Sequence, residues 1–275
     1  MTSVPIPQVD LRPQSVLLVF FGDYAADPGT VVAASGLLDV LEPAGVGTHA
    51  TRATLSRMVK RGLLHRVAEG RQAYFGLTDV GRRTVLGGRE RAQVADVVDR
   101  SWDGRWTLVG FSLPEASQRE RHLLRSRLVW AGFGMVQSGL WASPHEVDVV
   151  ALLDDLDVVE HVTAFRGEPL APTETARLVA EAFDLDEIAA RYVAFLDRWQ
   201  AVAEADDVDD PLTARVVLST DWGLVLRSDP RLPLALLPSP WPALEARDLQ
   251  RRIDKRLRRP AETEARHRLD VRTVG

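Results

Sequence analysis

Residues 45–77, GVGTHATRATLSRMVKRGLLHRVAEGRQAYFGL, decide how this chain is read. Ala53, Leu55, Met58 and Val59 form an apolar stripe at near-helical spacing, and Gly62 stands where a helix stops. Thr48 or Thr51 is placed to cap that helix, because a threonine hydroxyl can accept a bond from a free N–H of the first turn. The opposite face carries His49, Thr51, Arg52, Thr54, Arg57, Lys60 and Arg61. Residues 63–68 and 71–77 then read as two short strands about a Glu69-Gly70 turn. Residues 48–68 contain no acid, which matters beside a polyanion.

A basic helix followed at once by a basic hairpin is the build of a winged helix-turn-helix, with one helix for the major groove and a wing for the backbone beside it. Two apolar helices, 14–24 and 33–41, precede it, and Pro43, Gly45 and Gly47 make the turn between. The expected partner is therefore double-stranded DNA. Thr51, Arg52, Thr54 and Arg57 are expected to face the groove, where arginine reads guanine through two parallel bonds. Lys60, Arg61, Arg66 and Arg71 are expected to neutralise phosphates, with Thr48, His49 and Gln72 completing the contact set. The plain alternative is a solvated basic face.

The net charge of −5 over 275 residues looks unsuited to this partner until it is divided. Residues 1–91 hold 11 basic against 8 acidic side chains, a net +3, and the remainder holds 23 against 31, a net −8. The positive field is local to the proposed reading surface, and a local field steers a protein onto phosphate. The absence of cysteine removes disulfides, thiolate chemistry and cysteine-based zinc sites, and fits a reducing cytoplasm. Pro5, Pro7 and Asp10 come before the first apolar run, so the start does not read as a signal peptide, and residues 16–21 are too few to span a bilayer.

The pattern predicts an α+β multidomain chain in three parts. Residues 10–98 hold the winged helix-turn-helix and a linker helix running from 78 towards 98. Residues 102–168 alternate strand (105–113), helix (115–131), strand (133–137), strand (140–143), helix (146–155) and strand (158–165), the order of a ferredoxin-like β-α-β-β-α-β sheet. Residues 172–270 are helical over 173–183, 185–205, 211–227 and 241–259, with a charged tail beyond that is expected to fray.

Rival constellations are weak. Gly45-Val-Gly-Thr-His-Ala50 fits a dinucleotide fingerprint, but that turn must follow a buried strand, and 37–41 reads as a helix end. The six histidines lack metal-site spacing, and neither a phosphate-binding loop nor a serine elbow occurs. No catalytic residue, metal or cofactor is expected. The seven tryptophans are read first as core. Tyr192, Trp199 and Trp222 could alternatively line an acyl pocket, with Arg191, Arg198 and Arg227 meeting phosphates of a CoA-like ligand.

Five segments in order resemble the PaaX family, repressors of bacterial phenylacetate-degradation operons. They are Arg52-Ala-Thr-Leu-Ser-Arg-Met-Val-Lys-Arg-Gly-Leu-Leu64; Trp102-Asp-Gly-Arg-Trp106; Leu128-Val-Trp-Ala-Gly-Phe-Gly134 with Gly139-Leu-Trp141; Asp184-Leu-Asp-Glu-Ile-Ala-Ala-Arg-Tyr192; and Asp229-Pro-Arg-Leu-Pro233 with Leu237-Pro-Ser-Pro-Trp-Pro242. The resemblance implies a homodimeric repressor that leaves a palindromic operator when an acyl-CoA effector binds, phenylacetyl-CoA in the best-known members. Where that family often has a His-acid-aromatic-Arg-Arg run, this chain has Thr220-Asp-Trp-Gly-Leu224, a departure that bears on the choice of ligand.

The middle part also resembles the small ferredoxin-like nuclease of CRISPR adaptation. There, Ser112 of Val109-Gly-Phe-Ser-Leu-Pro114 replaces a metal-binding aspartate, and a lone hydroxyl holds a hard cation poorly. It is therefore read as a dimerisation or sensing module. The competing readings are a nucleic-acid-binding or processing protein built on that domain, and an acyl-CoA-using enzyme in the helical part.

Overall fold

The apolar run after Arg12 forms helix α1 (Pro13–Tyr24), opened by a proline whose fixed φ suits the first helical position; the short strand β1 (Ser3–Val4) precedes it. The β-branched stretch β2 (Thr30–Ala33) leads into α2 (Ala34–Leu41), then α3 (Thr48–Lys60), and the hairpin β3 (Leu64–Glu69) and β4 (Gln72–Leu77). Helix α4 (Asp79–Val94) follows. The next stretch is β5 (Trp106–Phe111), α5 (Gln118–Trp130), β6 (Gly134–Gln137), β7 (Leu140–Ser143), α6 (Val149–Leu153) and β8 (Val162–Gly167). The chain closes with α7 (Thr175–Ala182), α8 (Leu185–Glu204), β9 (Asp207–Val208), α9 (Pro211–Arg227), α10 (Pro242–Arg268) and β10 (Val271–Thr273). This computed structural model describes residues 3–94, 97–154 and 156–274; residues 95, 96 and 155, part of two expected helices, lie outside the described residues.

The fold is mixed α and β with two four-stranded antiparallel sheets. One compact unit comprises residues 1–95, 194–224 and 245–275, and the other residues 96–193 and 225–244. The sequence suggests three consecutive parts, whereas the C-terminal helices are shared between these two units.

In the first unit, α1, α2 and α3 pack on one another, and Leu17, Phe20, Phe21, Leu37, Leu41, Leu55 and Met58 are fully buried. The sheet order is β10-β2-β4-β3. Two of these strands correct the sequence reading. Residues 30–33 carry too short a β-branched run to stand out from the helix that follows. The expected fraying tail instead continues as helix through Pro260 to Arg268 and then pairs as β10 with β2, Arg272 opposite Val31. Side chains on one sheet face, Val31, Ala33 and Tyr74, form a small buried cluster with Val67 and Val274 against it.

Gly81 shows how closely α4 seats beneath the hairpin. A Cβ there would lie 2.0 Å from the backbone oxygen of Leu63, which itself accepts the Thr78 N–H at 3.1 Å. Because backbone cannot swing aside as a side chain can, Gly81→Ala is expected to destabilise the first unit by about 1–3 kcal/mol. Urea denaturation that shows no shift in midpoint would contradict this.

In the second unit the strands run in the order β6-β7-β5-β8. Alternating side chains of the sheet supply two cores. Val109 and Trp141 bury one face with Leu124, Leu128, Phe133, Leu153 and Val158, while Trp106 and Ala142 bury the other with Leu178, Val179, Phe183 and Leu232. Helix α6 is shorter than expected; Asp148 caps it, its carboxylate accepting the Ala151 N–H at 3.0 Å.

Candidate nucleic-acid interface

Helix α3 starts at Thr48 with Gly47 as its N-cap and no side-chain capping bond, so neither Thr48 nor Thr51 serves as the expected cap. Its end matches expectation. Gly62 takes the left-handed conformation at φ 69°, the Gly62 N–H donates to Val59 O at 2.9 Å, and the Leu63 N–H donates to Met58 O at 3.0 Å. That is a Schellman closure, which turns the chain directly into β3. The Thr78 hydroxyl at the base of β4 donates to Gly62 O at 2.5 Å, tying hairpin to helix end.

The buried stripe of α3 is Thr51, Thr54, Leu55 and Met58. Thr51 and Thr54, expected on the outer face, are 0% and 1% exposed. The reason is that a threonine can bury its methyl while its hydroxyl is satisfied within the helix. Thr51 Oγ1 donates to Gly47 O at 3.3 Å and to Val46 O at 3.4 Å, and Thr54 Oγ1 accepts from Arg57 Nη2 at 2.7 Å. Thr54 therefore acts on the surface at one remove, by holding the Arg57 guanidinium.

The side chains that remain outward on α3 are His49, Ala50, Arg52, Ser56, Arg57 and Lys60, with Arg61 just beyond and Thr48 half-buried. Sequence reasoning missed Ala50 and Ser56; their small size on the face opposite the core was the available signal. Arg66, Arg71 and Gln72 are exposed on the hairpin. The Tyr74 hydroxyl lies 2.7 Å from the Gln72 amide oxygen and donates to the Asp270 carboxylate at 2.6 Å. Burial, and then the bond to Asp270, raises the Tyr74 pKa. Bonds from Arg272 and then Tyr74 hold the Asp270 carboxyl below its ordinary range.

The residues suggested for an effector do not form one cluster. Arg198, Trp199 and Trp222 belong to the first unit, and Arg191, Tyr192 and Arg227 to the second. Asp221 accepts Arg198 through a two-pronged pair at 2.9 and 3.1 Å and the Trp199 indole N–H at 2.9 Å, while Trp222 packs on Phe195 with ring centres 5.2 Å apart. In the other unit, Tyr192 donates to the Asp229 carboxylate, and burial raises the pKa of both. Arg191 pairs with Glu187, and the Arg227 guanidinium lies over the Trp130 ring at 5.6 Å. Each of these six side chains already has a protein partner.

A helix face of arginine, lysine and small polar groups beside a basic hairpin suits the binding of a polyanion rather than bond chemistry. Among the described residues no group of three or more His, Asp or Glu side chains gathers as a metal site. Nor, among the described residues, is any helix long and apolar enough to cross a membrane.

Comparisons with known proteins give the class a name. The family model described as "PaaX-like protein" matches residues 12–81, that of the "PaaX protein central Cas2-like domain" residues 99–179, and that of the "PaaX-like protein C-terminal domain" residues 183–267. The chain is 30% identical over 248 residues to the transcriptional repressor PaaX of Escherichia coli strain K12, a match covering 86% of this chain and 77% of that protein. A solved structure, the uncharacterized protein Rv0674 from Mycobacterium tuberculosis, matches with a TM-score of 0.61 at 25% identity, over 92% of this chain and 98% of that one. The chain belongs to the PaaX family, a family of transcription regulators and not of enzymes. This sets aside the acyl-CoA-using enzyme and the nuclease built on the middle sheet.

Proposed function

We propose that this protein is a DNA-binding transcriptional repressor of a phenylacetate or related aromatic acyl-CoA catabolic operon, relieved by an acyl-CoA effector such as phenylacetyl-CoA. The observation that carries the reading is the outward face of α3, with His49, Arg52, Ser56, Arg57 and Lys60 and no acid, continued by Arg66 and Arg71 on the hairpin. In this reading α1–α4 and the first sheet make a winged helix-turn-helix, with Arg52 and Arg57 at base edges and Lys60, Arg61, Arg66 and Arg71 on phosphates. The strand order of the second unit supports a ferredoxin-like domain. In this reading the protein works as a homodimer in the cytoplasm. The relative's name, a transcriptional repressor, supports the regulatory half. Effector contacts by Arg191, Tyr192, Arg198, Trp199, Trp222 and Arg227 would require their present partners to be exchanged for ligand.

The test is a binding titration on promoter fragments flanking the protein's own gene, with and without phenylacetyl-CoA. Arg57→Ala is expected to cost about 1–3 kcal/mol on the operator and to relax preference at one base position. An equal loss on operator and scrambled duplex would make Arg57 a phosphate contact only. Operator affinity indifferent to phenylacetyl-CoA would remove the effector half of the proposal and leave the DNA half standing.

A further inference from the structure

The hairpin offered to nucleic acid carries an acid at its tip. Glu69 ends β3, opposite Gln72, one residue from the Gly70-Arg71 turn. An uncompensated carboxylate there would repel the phosphates that Arg71, two residues on in the turn, is placed to meet. It is compensated from the other end of the chain. Arg272 of β10 extends across the sheet face that carries Tyr74, its guanidinium 4.6 Å from the centre of the Tyr74 ring, and pairs with Glu69. Its other partner, Asp270, accepts from Arg272 Nε at 3.0 Å and from Tyr74, so the arginine is held flat along its length. The Ala33 N–H donating to Asp270 O at 3.0 Å and the Val274 N–H donating to Gly29 O at 2.8 Å fasten the strand on both sides of it. Arg272 itself remains 42% exposed.

We infer that Arg272 is part of the nucleic-acid interface: from the C-terminal strand it neutralises Glu69, so that the hairpin tip presents net positive charge to the DNA backbone. This rests on the proposed DNA-binding reading and adds to it a residue some 200 positions away from the other contacts. Arg272 acts here as a positioning and charge-masking residue, and base recognition stays with α3.

The experiment uses the full chain and a mixed-sequence duplex, followed by fluorescence anisotropy at about 0.05 and 0.2 M salt. Arg272→Ala is expected to weaken binding about threefold to tenfold at the lower salt, with a shallower salt dependence, since one effective phosphate neighbour is lost. Glu69→Gln in that background is expected to restore affinity to within about twofold, because the acid that needed masking is gone. Glu69→Gln alone, which leaves the strand and its arginine in place, is expected to bind as tightly as the unaltered chain or tighter. If Arg272→Ala binds like the unaltered chain, or Glu69→Gln fails to rescue it, charge masking is overturned; failed rescue would assign Arg272 to holding the strand alone. If the unaltered chain binds no duplex, the DNA-binding reading itself falls, an outcome distinct from unaltered affinity in the variant.

Discussion

Arg215→Ala is expected to cost the first unit about 3–5 kcal/mol, the usual consequence of removing one member of a buried charge cluster. Arg215, 12% exposed, joins three helices: its Nε donates to Asp254 of α10 at 2.9 Å, and its Nη1 donates to the Tyr24 hydroxyl at 3.1 Å and lies 3.2 Å from Asp23 of α1. Burial opposes its charge, but Asp23, Tyr24 and Asp254 outweigh that and raise its pKa. Burial likewise raises the pKa of Tyr24. Without the guanidinium, two nearly buried carboxylates lose the cation between them, although Arg258 still pairs with Asp254 at 2.7 Å. Asp23→Leu, Arg215→Met and Asp254→Leu together should fall much closer to the parent, since apolar groups of similar volume need no counter-charge. Urea unfolding followed in the first unit distinguishes these cases; a loss below about 1 kcal/mol for Arg215→Ala would make the cluster a solvated one.

Asp221→Ala is expected to be nearly as damaging, at about 3–5 kcal/mol. The carboxylate is 3% exposed and is the acceptor for both Arg198 and the fully buried Trp199 indole. Removing it leaves a buried N–H and a half-covered guanidinium without their acceptor. Asp221→Asn keeps an oxygen for the indole and should lose less, about 1–2 kcal/mol. The pair of variants separates the two roles: equal losses would show that only the ionic partner counts. Arg198 and Trp199, both suggested as effector contacts, are thus engaged by an acid of the Thr220–Leu224 segment.

What the sequence reveals here depends on how local the cause is. Helix α3 and its hairpin are legible because Gly62, Gly70 and the acid-free run act within a few residues of themselves, although the turn falls at Gly70-Arg71, one residue later than Glu69-Gly70. The inward rotation of Thr51 and Thr54 is not legible, since threonine satisfies either face of a helix and only packing against α1 and α2 decides. Strand β2 is hidden because Thr30–Ala33 is a strand by virtue of partners on both sides, one of them near residue 272. Arg215 and Arg198 look like ordinary solvated arginines in sequence; the carboxylates that bury them come from other helices or another turn. The same holds for the division of the C-terminal helices, which depends on which core each helix completes.

The antiparallel pairing of β10 with β2 also sets a timetable. At about 5–20 residues per second, the stretch from Leu77 to Val271 takes a ribosome about 10–40 s to make. Until Val271 and its neighbours emerge, β2 lacks its β10 partner, Tyr74 lacks its bond to Asp270 and Glu69 lacks its pair with Arg272. A product of interrupted translation would carry α3 beside a sheet that lacks β10.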